Sequence, residues 1–246
     1  MSCFPLSARF AVLFSAWAEG RASLDDTRDA IVGADAAHHV NGIPGLPDSQ
    51  PLIIALGSLR SHRATGAGLA LPAPGDLVGL GGPAEFNAEV LEIGESVVIE
   101  GADLGLVPHH VGAGVQWTCH HASSHRQLPD VSEAEADLRH TLLRTADTLV
   151  HLDVARWRPE VADELMALGN GRTAELPDVM PARAVRLASD ALRCRSIVEL
   201  ALEDDGGSIS AAEADARRSA LVPLERASRR ALVAACSARV WPSASV

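Results

Sequence analysis

The side chains best suited to chemistry gather between positions 104 and 125, LGLVPHHVGAGVQWTCHHASSH, which hold five of the ten histidines and one of the four cysteines. Imidazole nitrogen and thiolate sulfur are the donor atoms zinc prefers. Cys119, His121 and His125 are therefore candidate metal ligands. The spacing limits that reading. A tight turn over residues 111–114, with Gly112 at its first central position, makes the stretch a hairpin that pairs His110 with Val115 and Leu106 with Cys119. His120 then lies roughly 15–17 Å from the partner of His110, at about 3.3 Å per residue, so the two histidine groups fall at opposite ends of the ribbon. The plainer reading is polar residues at a strand end and in the loop beyond it, because no standard ligand spacing is met.

A second candidate is the glycine cluster Gly79, Gly81 and Gly82, followed by Pro83 and Ala84. It fits the pattern G-x-G-x-x-A, between a short strand and a helix. Glu100 stands after the next strand, about where a dinucleotide fold places its ribose carboxylate. Pro83 weakens the match, since it removes an amide donor at the helix start. The alternative is a glycine turn packed against a helix.

Two charge patterns complete the set. His140, Arg144, Asp147 and His151 recur at helical spacing, opposite Leu138, Leu142, Leu149 and Leu152, and read most simply as a solvated face. Arg226, Arg229 and Arg230 share a helix face and suit an anion or an acidic partner surface, on another protein or a second copy of this one. Alanines 231, 234 and 235 would let that helix approach a neighbour closely.

Composition excludes other chemistry. The 246-residue chain contains no Lys and no Tyr; its 21 basic residues are all arginines. Schiff-base lysines, P-loop lysines and tyrosine acids are thereby ruled out. A net charge of −11 opposes nucleic-acid binding and anionic membranes. No catalytic signature is present, and no catalytic residue is assigned. The cofactor is unknown, with Gly79, Gly81, Gly82 and Glu100 as the candidate cofactor-binding set. The scattered cysteines fit a reducing cytoplasm. The apolar stretch at residues 10–18 loosely imitates a signal peptide, but reads better as a buried first helix.

The elements that must position these residues form an α+β fold: a β-rich N-terminal half with a few helices, then a C-terminal helical bundle packed on it. The expected division is 1–128 and 129–246, within one compact unit. Helices are expected over 6–19, 23–32 and 83–93, the last stopped by Gly94. Strands are expected at 52–56, 66–71, 76–80 and 97–99, besides the hairpin. Ser132 and Glu135 form a capping box for a helix to about residue 153. Further helices follow at 159–168, ended by Gly169-Asn170-Gly171, and at 181–203, stopped by Gly206-Gly207. Ser210 and Glu213 open another, which Pro223 breaks or kinks before a last helix to about Arg239.

The alanine- and arginine-rich character, with the segments GDLVGLGGPAEFN and DVARWRPE, resembles conserved proteins of high-GC Gram-positive bacteria to which no activity is attached. The resemblance covers most of the chain and transfers no activity. On these grounds a non-enzymatic protein acting by self-association, as a homodimer, or through another protein is favoured. A small-ligand or nucleotide-binding protein, with or without catalysis, and a metal-binding protein are the alternatives.

Overall fold

The computed structural model describes residues 4–46, 48–151, 177–203 and 211–241. The helix expected at 159–168 with its glycine stop, the Gly206-Gly207 stop and the capping position Ser210 lie outside these residues. So do Leu152 and the side chains of Leu149, His151, Glu213 and Arg217. The described part is α+β, strand-rich in its first half and helical in its second.

Six strands form one sheet in the order β2-β1-β6-β5-β4-β3: β1 (His38–Asn41), β2 (Gln50–Pro51), β3 (Gly66–Ala70), β4 (Ser96–Glu100), β5 (Leu104–Val111) and β6 (Gly114–His121). All neighbours are antiparallel except β1 and β6. The β5–β6 hairpin forms in the expected register, His110 opposite Val115 and Leu106 opposite Cys119. Gly112 takes the positive φ (60°) that a two-residue hairpin turn demands.

Helices cover both faces. α1 (Leu6–Ala18) is buried on nearly every side, as its apolar sequence requires. Phe10 and Phe14 pack with Val97, Leu106, Val115 and Trp117 on one face of the sheet. Ala8 and Val12 meet the C-terminal helices. α2 (Leu24–Val32) starts at Ser23, whose hydroxyl accepts from the Asp26 amide. On the other face α4 (Ala84–Ile93) places Phe86 and Val90 over Val98 and Val107, and left-handed Gly94 ends it.

Three expectations are corrected. Residues 52–56 open α3 (Leu52–Ser61), not a strand. Leu52, Ala55, Leu56 and Leu59 are its buried residues, a spacing of three and four that selects a helix once Leu59 is included. Residues 76–80 form no strand. Ala73-Pro74-Gly75-Asp76 closes a tight turn, with reciprocal hydrogen bonds between Ala73 and Asp76 and Gly75 at φ 81°. Pro223 neither ends nor divides its helix, which runs unbroken from Ala211 to Ala235. Pro223 and Ser219, whose carbonyl loses its donor, are both exposed, so water can satisfy that oxygen.

The second half contributes α5 (Val131–His151), α6 (Ala182–Glu203) and α7 (Ala211–Ala235), followed by a 3-10 turn (Ala238–Val240). Asp130, not Ser132, caps α5: its carboxylate accepts from the amides of Ser132 at 2.7 Å and Glu133 at 3.4 Å. Glu135 reaches across to Arg183 of α6 instead of back to the cap. The three helices, α1 and the end of β3 share one apolar cluster. Ala231, Ala234 and Ala235 are fully buried inside it. Leu138 also faces this core, whereas Leu142 is 38% exposed.

Candidate ligand-binding cleft

β3 lies at the open edge of the sheet, where unpaired backbone groups would normally invite another strand. Here side chains occupy them. Ser15 Oγ accepts from the Ala67 amide, and its single hydroxyl proton is shared between the carbonyls of Ala11, at 2.8 Å, and Ala67, at 3.1 Å. Ser237 Oγ accepts from the Leu69 amide. Arg126 Nη1 donates to the carbonyls of Leu69, at 3.1 Å, and Gly79, at 2.8 Å. The guanidinium has no exposed surface, and its Nη2 lies 2.8 Å from Glu100 Oε1. Burial pulls the Arg126 pKa below the usual arginine value, and the Glu100 charge opposes that. Gly68 in β3 lacks the Cβ that would otherwise collide with this guanidinium.

Glu100, the last residue of β4, pairs with Gly66 of β3. Its Oε2 faces Arg239 Nη1 at 3.7 Å. Arg239 also donates to the Ser124 carbonyl at 2.9 Å. Around these groups opens a cleft of about 430 Å³ lined by Glu19, Thr65, Gly66, Ala67, Glu100, Gly101, Ser124, His125, Ala238 and Arg239. It brings together one residue from each of two sequence candidates, Glu100 from the glycine set and His125 from the histidine set. Arg126 and Arg239 were not singled out as site residues. The signal for Arg126 is its place just after the histidine stretch, and only the fold shows that it is buried.

The glycines stand behind this cleft and do not line it. A Cβ on Gly79 would come within 2.6 Å of the Leu69 carbonyl, and one on Gly81 within 2.8 Å of the His125 carbonyl. The Gly82 amide donates to Asn87 Oδ1, and the Gly82 carbonyl accepts from Ser123. These glycines let the loop close onto β3 and onto residues 123–126.

Cys119, His121 and His125 are not gathered around a common point. Among the described residues no group of three or more His, Cys, Asp or Glu is placed to hold a metal ion. Cys119 is buried among apolar side chains, and burial pushes its thiol up to about 12. His121 is exposed, its Nδ1 3.0 Å from the Asp103 carbonyl. The histidine groups at opposite ends of the hairpin are nevertheless connected. Glu89 of α4 sets its two oxygens 3.2 Å from His109 Nε2 and 3.0 Å from His120 Nε2. The His120 contact is off the line of a hydrogen bond.

The arginine group closes on the chain itself. Asp76, nearly buried in its tight turn, lies 3.2 Å from Arg229, 3.0 Å from Arg230 and 3.5 Å from Arg226. Arg229 is buried as well and donates to the Leu71 carbonyl. On α5, His140, Arg144 and Asp147 are exposed.

Fold and site together define an α+β protein whose charge clusters tie helices to a single sheet, with a polar cleft at the sheet edge. The chain belongs to the Rv1486c-like protein family: residues 7–134 match the family's N-terminal domain and residues 132–233 its C-terminal domain. It is 27% identical over 290 aligned positions to the uncharacterised protein Rv1486c of Mycobacterium tuberculosis, covering 96% of this chain and 98% of that one. With the uncharacterised protein ML1804 of Mycobacterium leprae it shares 25% identity over 298 positions, with the same coverage. No function is assigned to these relatives. No solved structure matches the chain. Among the described residues, no helix is long and apolar enough to cross a membrane.

Proposed function

We propose that the protein binds a small polar ligand in the cleft beside Glu100. The observation that carries this reading is the Glu100 carboxylate. One oxygen is fixed by a buried guanidinium, while among the described residues the other accepts no hydrogen bond. A carboxylate oriented from behind and left short of donors in front is a preorganised acceptor. The cleft volume falls within the range usual for small-molecule sites. Buried, unpaired thiols at Cys119, Cys194 and Cys236 support a reducing compartment such as the cytoplasm.

A thermal-shift screen tests the reading, using inorganic phosphate, succinate, putrescine, glucose, nucleotides and the common α-amino acids. A ligand at a hundred times its Kd stabilises the folded chain by about 2.7 kcal/mol, a rise of several degrees for a chain this size. Arg239→Ala should abolish the rise. A panel that leaves the midpoint unmoved contradicts the reading.

Self-association, as a homodimer, is a second reading. Leu143 at 63% and Val222 at 56% exposure, with Leu142 beside the first, place apolar surface on α5 and α7. The covered edge of β3 and the internal burial of the α7 alanines direct such contact to these outer faces. Light scattering at high concentration should then show a dimer that Leu143→Glu disperses, and a strict monomer would refute it.

A further inference from the structure

We infer that the ligand of this cleft is a small zwitterion, a molecule with a cationic amine and an anionic carboxylate or phosphate. This rests on the cleft being a ligand site. The charges on its walls are of both signs and lie close together. Glu100 presents an oxygen that only donors can satisfy; Glu19 stands on the same cleft, 45% exposed and paired with Arg21 at 2.7 Å. Arg239 is 53% exposed and among the described residues makes a single hydrogen bond, to the Ser124 carbonyl, so most of its five N–H groups remain available to an anion. A pure anion would face the Glu100 carboxylate, and a pure cation would face the exposed Arg239. A molecule holding both charges meets each with its opposite. The amine would occupy the space before Glu100 Oε2, and the carboxylate or phosphate the outer side of Arg239.

The experiment is isothermal titration of the full chain with the common α-amino acids and with phosphoethanolamine, which separate a carboxylate from a phosphate partner. The best binder is then compared with its N-acetyl form, which loses the cation, and its amide or dephosphorylated form, which loses the anion. Each blocked form should bind about ten- to a hundredfold more weakly, the value of one charge-assisted hydrogen bond. Glu100→Gln should impair the parent and leave the N-acetyl form unaffected; Arg239→Ala should do the same for the parent and the amide. Because Glu100 also holds Arg126, Arg239→Ala carries the test if Glu100→Gln does not fold. Blocked forms binding as well as the parent, or putrescine or succinate binding where no zwitterion does, would overturn the zwitterion and leave the cleft as a site. No heat with any compound, in titration and thermal-shift screen alike, would overturn both.

Discussion

Arg126 Nη2 and Glu100 Oε1 meet at 2.8 Å where the guanidinium has no exposed surface. The same guanidinium holds carbonyls of β3 and of the glycine loop. Removing one member of a buried pair strands the other, so Arg126→Met should cost about 3–5 kcal/mol in a denaturant titration. The double variant Arg126→Met with Glu100→Met should recover part of that loss. A single variant as stable as the parent would show that the pair does not hold the edge of the sheet.

The Asp76 cluster should respond in a graded way. Arg229 is 7% exposed and Arg226 55%, though both face the same carboxylate. Arg226→Ala should cost about 0–1 kcal/mol, as exposed pairs do. Asp76→Ala leaves the buried Arg229 with Glu225, at 2.6 Å, and the Leu71 carbonyl but without its partner in the turn, and should cost about 1–3 kcal/mol. Equal losses would contradict the burial difference.

The start of α5 gives a sharper contrast. Asp130 accepts two amide hydrogen bonds there, and those amides, Ser132 first, hold its carboxyl below the usual range. Asp130→Ala should lower the thermal unfolding midpoint, as loss of a helix cap does. Ser132→Ala should be nearly silent by the same thermal measurement.

His38 sets a dependence on pH. Its Nδ1 accepts from the Trp117 indole at 3.3 Å, which places the ring proton on Nε2, 2.9 Å from Asp35 Oδ2. Burial, opposed chiefly by Asp35, lowers its pKa from 6.5. The unfolded chain therefore takes up a proton that the folded chain resists. Stability is full above about pH 6.5 and declines as pH falls through the lower folded value. His38→Gln should flatten the slope of the unfolding midpoint between about pH 7 and 5, and an unchanged slope would contradict the assignment.

Much of the scaffold was legible because its signals are local. Gly94 ends α4, Ser23 starts α2, and Gly112 sets a turn whose length determines the hairpin register. The errors share a cause. Five apolar residues from Leu52 suit either a helix or a strand, and Leu59 decides. Asp130 and Ser132 both make acceptable caps, and Glu135 is drawn away by Arg183 on a helix distant in sequence. The site was less legible. The order of glycines, helix, strand and Glu100 is present, but the glycines serve close packing. Glu100 gains its orientation from Arg126, and long-range partners of this kind leave no periodic trace in the sequence. Glu89 joins His109 to His120 from a separate helix, which strand register alone does not show.

The most direct test of the cleft is an amide chemical-shift titration of the full chain with the zwitterion that binds best. Shifts should concentrate at Gly66, Ala67, Gly101, Ser124 and Arg239, which line the cleft, and should vanish in Arg239→Ala. Saturable shifts confined to another face of the protein, or none at ligand concentrations in the millimolar range, would contradict the account.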